Sequence, residues 1–110
     1  MEWREVAPWM EFRIFFRDGA PVGISQADPY RRHPEIADRA ADLSGALNRF
    51  TRHIAGALPI PTCAADVAIG HGDPAEPWLI ELNPFDARLD AALFDGAGTG
   101  AFDGSFRYVR

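Results

Sequence analysis

The stretch MEFRIFFRDGAPVGISQ, residues 10–26, constrains the fold more than any other. Two apolar runs flank Asp18-Gly19, a dipeptide suited to a tight hairpin turn. Side chains alternate across a strand, so Phe12, Ile14 and Phe16 share one face and Glu11, Arg13, Phe15 and Arg17 the other. The returning strand sets Val22 and Ile24 against Gly23 and Ser25. One apolar face of this kind asks for a helix to cover it.

The helix follows a polar turn, ADPYRRHP. From Pro34 to about Ala57, Ile36, Ala40, Leu43, Leu47, Phe50 and Ile54 recur at spacings of four and three. Glu35 and Asp38 lie near its start and Arg49, Arg52 and His53 near its end, as the helix dipole favours. Gly45 costs about 1 kcal/mol against alanine. LPIPT ends the helix. CAADVAIG predicts a third strand, with Val67 and Ile69 opposite Asp66 and Ala68. WLIELN predicts a fourth, antiparallel to it, with Trp78, Ile80 and Leu82 opposite Leu79, Glu81 and Asn83. FRYV near the end predicts a short last strand. The fold expected is α+β: a small antiparallel sheet with one long helix packed on one face, in a single domain spanning residues 1–110.

The face away from the helix then carries Arg13, Asp66, Glu81 and Asn83. Glu81 and Asn83 are two apart on a strand and project the same way. Two carboxylates and an amide oxygen are hard ligands of the kind Mg²⁺ takes, and an arginine beside them can fork onto phosphate oxygens. The same residues also read as an edge charge and an Asn-Pro turn. Composition narrows the partners. The net charge is −5, and all eleven basic residues are arginine. That balance argues against nucleic acid or an anionic membrane as partner, and any phosphate site must use arginine or backbone N–H groups. No apolar run reaches the ~18 residues of a membrane span. A lone cysteine, Cys63, excludes an intrachain disulfide and reads as a small buried hydrophobe, and a cytoplasmic setting fits.

Weaker signals read as structure. GAGTG, residues 96–100, lacks the strand and the GK[ST] of a phosphate loop. His33, His53 and His71 have no ligand spacing and read as surface residues. Arg31-Arg32 reads as solvated charge. Trp3 and Trp9 precede the first strand and are expected to leave an exposed apolar patch.

MEFRIFFRDGAPVGISQ, DVAIG and WLIELNPFDARLDAALF together resemble the C-terminal part of the cell division cycle protein 123 family, within the ATP-grasp superfamily. The resemblance runs from about Trp3 to Phe94. It implies an ATP-grasp C-terminal lobe that holds Mg²⁺ and ATP. Asp66, Glu81 and Asn83 would be the metal ligands. Arg13 would contact phosphates or substrate as the catalytic residue, with Ser25 and Gln26 also lining the cofactor site. Asp90 would stabilise the loop after the metal strand. The family has a long segment before its Glu-Phe-Arg motif, carrying a phosphate-binding lysine. This chain has no lysine, so the expectation is that the N-terminal lobe is absent. It would then be a fragment, a short form that needs a complementary lobe or protein partner, or a remnant.

The resemblance implies the Mg–ATP-binding half of a carboxylate–amine ligase, unlikely to be active alone. The alternative is a non-catalytic binding or assembly protein, since eukaryotic members assist assembly of a translation initiation factor, or an inactive remnant.

Overall fold

Asp18 and Gly19 both adopt positive φ, 52° and 81°, and so close the hairpin turn. The structure is a computed structural model that describes residues 7–28, 30–70, 76–85, 92–94 and 102–109. Strands β1 (Glu11–Arg17) and β2 (Ala20–Gln26) pair antiparallel, with Phe12 opposite Gln26 and Arg17 opposite Ala20. Strand β3 (Cys63–Ile69) joins the other side of β1, and β4 (Pro77–Pro84) lies beyond it, both antiparallel. A short β5 (Phe106–Arg107) runs parallel to β2. The order is β4-β3-β1-β2-β5. The sheet is therefore mixed, and not wholly antiparallel as the sequence suggested.

The long helix is two. α1 (Pro34–Asp38) stops at Arg39, whose φ of −120° and ψ of 18° leave the helical region, and α2 (Ala40–Ala55) begins anew. Arg39 holds its guanidinium 5.8 Å from the centre of the Trp9 ring. Trp9 is itself buried in the core, which corrects the expected exposed patch. Trp3, His71, Asp90 and GAGTG lie outside the described residues. Leu43 and Leu47 of α2 pack with Ile36 on Phe12, Ile14, Phe16, Val67 and Ile69. Burying each such side chain stabilises by about 1.5–3 kcal/mol.

Two β-bulges change which face Val22, Ile80 and the residues before Ile80 meet, so that Leu79, expected beside Glu81, stands opposite Val67 on the helix side. The register slips between Phe15 and Phe16, leaving Val22 as the extra residue of β2. It slips again between Asp66 and Val67, leaving Ile80 as the extra residue of β4. An inserted residue breaks strict alternation. Val22 therefore packs beside Phe15 and away from the helix face that Ile24 meets. Ile80, expected under the helix, is 47% exposed.

The second face is also less polar than expected. Phe15, Phe85, Phe94 and Phe102 form an aromatic cluster there, with Phe94 and Phe102 stacked at 4.8 Å. Arg17 lies over Phe85 and Phe102, and Arg107 lies 4.2 Å from the centre of Phe94. Gly23 makes room for this cluster, because a Cβ there would come within 2.6 Å of the Phe94 ring.

Candidate functional site

Strand register sets a polar row across the second face. Glu81 stands opposite Asp66, Asp66 opposite Arg13, and Arg13 opposite Ser25. Arg107 extends the row on β5, beside Ser25. Asn83 is opposite Ala64, two residues along β3 from Asp66, and so shares the face. Asp66, Glu81, Asn83 and Arg13 thus come together on one side of the sheet.

Their chemistry is mostly spent internally. Arg13 donates from Nε to Asp66 Oδ1 at 2.7 Å and from Nη2 to Oδ2 at 3.1 Å. Asn83 Nδ2 donates to the same Oδ2 at 2.8 Å. Such a forked, charge-assisted pair is strong and directional. Its two side chains are 21% and 22% exposed, so solvent screens it only in part. Glu81 is exposed, and its carboxylate has no hydrogen bond or ion pair among the described residues.

A cavity of about 350 Å³ opens beside the row, lined by Glu11, Phe12, Arg13, Ala27, Asp66, Ile80 and Glu81. Glu11 and Ile80 were not singled out as site residues. Glu11 was legible, two positions before Arg13 on the same strand face. Ile80 was not, because only the bulge turns it toward the cavity.

Ser25 and Gln26 serve other ends. Ser25 is buried, accepts the Leu93 N–H at 3.1 Å and donates to the Gln26 carbonyl at 2.8 Å. It anchors the turn Ala92–Phe94. Gln26 sits opposite Phe12, on the helix-bearing face. Its Nε2 donates to the carbonyls of Asp28 and, at 2.7 Å, Arg31, while its Oε1 accepts Val109 N–H at 2.7 Å. Gln26 therefore ties the loop before α1 to the C-terminal segment and does not face the cavity.

Other titratable groups are structural. Burial pushes the Cys63 thiol pKa up, so it stays neutral. Hydrogen bonds from the Ser105 hydroxyl and backbone N–H, then Arg107, lower the Asp103 pKa to about 2. His33 is mostly buried, against expectation, and its Nε2 lies 4.0 Å from Asp28.

Mg²⁺ finds a partial fit. Glu81 offers a carboxylate and Asn83 an amide oxygen, but both Asp66 oxygens already accept hydrogen bonds. Among the described residues no three His, Cys, Asp or Glu side chains gather around one point.

The D123 family profile matches residues 1–97. The chain belongs to the D123 family. A translation initiation factor eIF2 assembly protein of Xenopus laevis is 30% identical over 94 residues, covering 84% of this chain and 27% of that protein. Cell division cycle protein 123 of Eremothecium gossypii is 34% identical over 94 residues, covering 84% and 26%. The chain thus spans about a quarter of the length of these D123 relatives. The solved structure of Cdc123 from Schizosaccharomyces pombe superposes with a TM-score of 0.80 at 21% identity, over 99% of this chain and 44% of that one. That likeness establishes a shared fold.

These comparisons correct the ligase expectation. The relatives are named for assembly of an initiation factor or for cell division, and none of those described is named as a ligase. No helix among the described residues is long and apolar enough to cross a membrane.

Proposed function

We propose that this chain is a protein-binding domain of an assembly factor for a translation initiation factor of the eIF2 type, working without catalysis in the cytoplasm. The observation that carries the reading is its D123 membership together with relatives of about 30% identity named eIF2 assembly proteins. The site's chemistry agrees. Arg13, Asp66 and Asn83 hold one another, as a rigid recognition surface requires. The shared architecture would be that of an ATP-grasp C-terminal lobe.

The test is direct. Separately purified subunits of an eIF2-type factor are titrated with the chain, and heterotrimer yield is measured in reconstitution with and without it. One subunit should bind, and yield should rise. If no subunit binds and yield is unchanged, the reading fails.

ATP and Mg²⁺ enter this proposal as ligands only. The cavity has two carboxylates outside the Arg13–Asp66 pair, Glu11 and Glu81, so phosphate would be held only through a bridging cation. Calorimetry should give a dissociation constant on the order of a millimolar, about 4 kcal/mol of binding free energy. Sub-micromolar binding would contradict that weakness.

A further inference from the structure

Asp66 already has a cation, and it is Arg13. The guanidinium donates from Nε to Oδ1 at 2.7 Å and from Nη2 to Oδ2 at 3.1 Å, so both carboxylate oxygens are engaged. Asn83 turns its Nδ2, and not its oxygen, to the same Oδ2 at 2.8 Å. Register holds the three together: Arg13 stands opposite Asp66, and Asn83 stands opposite Ala64, two residues from Asp66.

A bare divalent cation meets a neutralised carboxylate here. To reach Asp66 it must expel the guanidinium from a charge-assisted fork, and repulsion between the two cations adds to the cost. Glu81 is left as one exposed carboxylate, and Mg²⁺ at one carboxylate ordinarily needs phosphate oxygens as well. A bare phosphate fares no better. The cavity lining carries Glu11 and Glu81 beyond the Arg13–Asp66 pair, which sums to two negative charges, and its one guanidinium is turned to Asp66.

The two ligands together remove both obstacles. A guanidinium fork fits phosphate oxygens as well as a carboxylate. Arg13 and Asp66 keep 21% and 22% of their side chains exposed at the cavity wall, so Arg13 can leave Asp66 without opening the core.

We propose that Arg13 is an exchange lock, which makes this site take a divalent cation and a phosphate ligand only together. Arg13 passes from the Asp66 carboxylate to the phosphate as it yields Asp66 to the cation. Asn83 turns its amide over to offer its oxygen. Each ligand then raises the affinity for the other by the same factor. This rests on the reading of ATP and Mg²⁺ as ligands of the cavity, and it adds how the site admits them: neither binds without the other.

The probe is magnesium tripolyphosphate, with Mg²⁺ alone and tripolyphosphate alone as controls, added to the full chain. NMR follows the Arg13 Nε–H and the carboxyl carbon of Asp66. Each control, up to about 10 mM, should leave both signals in place, and the complex should move both. Arg13→Gln removes the lock. Mg²⁺ alone should then bind Asp66 about tenfold or more tightly than in the native chain. Adding Asp66→Asn should abolish that gain.

Mg²⁺ alone moving both native signals at millimolar concentration overturns the proposal. So does binding of the complex with the Arg13 Nε–H unmoved, and so does a folded Arg13→Gln with no gain in Mg²⁺ affinity. The melting temperature establishes that this variant folds; if it does not, the native titrations decide alone. Calorimetry with Mg–ATP tells the two claims apart. Binding of Mg–ATP with Arg13 still on Asp66 sinks the exchange and keeps the ligand reading. If neither Mg–ATP nor magnesium tripolyphosphate binds the native chain, the ligand reading falls, and the exchange falls with it.

Discussion

Phe15 and Arg13 stand two residues apart on β1 and face the same way, yet Phe15 is wholly buried and Arg13 keeps 21% of its side chain exposed. The difference lies in what crosses the sheet. At the Phe15 end, Phe85, Phe94 and Phe102 lie across the second face, and Arg17 and Arg107 cover their rings. At the Arg13 end a cavity opens to solvent, and Arg13, Asp66 and Asn83 hydrogen-bond with one another. The closed end therefore contributes mainly stability, and the proposed recognition falls to the open end. Each substitution below asks whether that division holds.

Phe15→Ala should be the most damaging. It empties the centre of the aromatic cluster, and a buried phenylalanine truncated to alanine costs about 3–5 kcal/mol. The melting temperature should fall on the order of 15 °C or more. A loss of only a few degrees would mean that the cluster closes the face without holding it.

Gly23→Ala tests the same end by addition. The new methyl group meets the Phe94 ring, itself fixed between Phe15 and Phe102. Overpacking of this kind costs about 1–3 kcal/mol. Urea denaturation should show a lower midpoint with an unchanged slope. An unaltered midpoint would show that the ring shifts freely.

At the open end, Asp66→Asn should cost about 1.5 kcal/mol, since a hydrogen bond to a charged group is weakened and Arg13 loses its counter-ion. This reverses what two facing carboxylates, Asp66 and Glu81, would suggest if considered alone. The Arg13 fork already neutralises Asp66. Thermal melting decides between them: a more stable Asp66→Asn would mean that carboxylate repulsion outweighs the ion pair.

Asp103 gives the comparison a pH axis. Its folded pKa of about 2 lies below the ordinary ~3.9 of an unfolded aspartate. The stabilisation it supplies is thus present above pH ~4 and lost as pH falls from there toward 2. Asp103 fastens Ser105 and Arg107, and Arg107 stacks on Phe94, so the effect belongs to the closed end. The difference in melting temperature between native chain and Asp103→Asn should close across that window. A difference that stays constant down to pH 2 would remove Asp103 from the account.

Much of this architecture is legible in the sequence for local reasons. Asp18-Gly19 fixes the hairpin because few other dipeptides accept two positive φ values. The spacing of Leu43, Leu47, Phe50 and Ile54 fixes the helix face because burial follows a period of 3.6. The face shared by Arg13, Asp66, Glu81 and Asn83 follows from period two. What escapes depends on distant contacts. The aromatic cluster joins Phe15 to Phe94 and Phe102 across some eighty residues, and no local pattern announces it. Whether Asp66 is free or paired depends on which strand lies beside β3. The bulges escape for another reason: one inserted residue reverses alternation without altering composition.

Ile80→Asp isolates that last point and should have the smallest effect. Strict alternation along WLIELN puts Ile80 beneath the helix with Leu82, where an unpaired aspartate would unfold the domain. In the structure Leu82 does pack on the main core, but Ile80 sits at the bulge, 47% exposed beside the cavity. An aspartate there stays hydrated, so the change in stability should be within about 0.5 kcal/mol, as for most surface substitutions. Leu82→Asp supplies the contrast on the same strand, because it forces a charge against the core and should cost several times more. The measurement is the melting temperature of both variants beside the native chain. If Ile80→Asp melts as low as Leu82→Asp, then β4 keeps strict alternation, the bulge is absent in solution, and Ile80 belongs to the core and not to the open end.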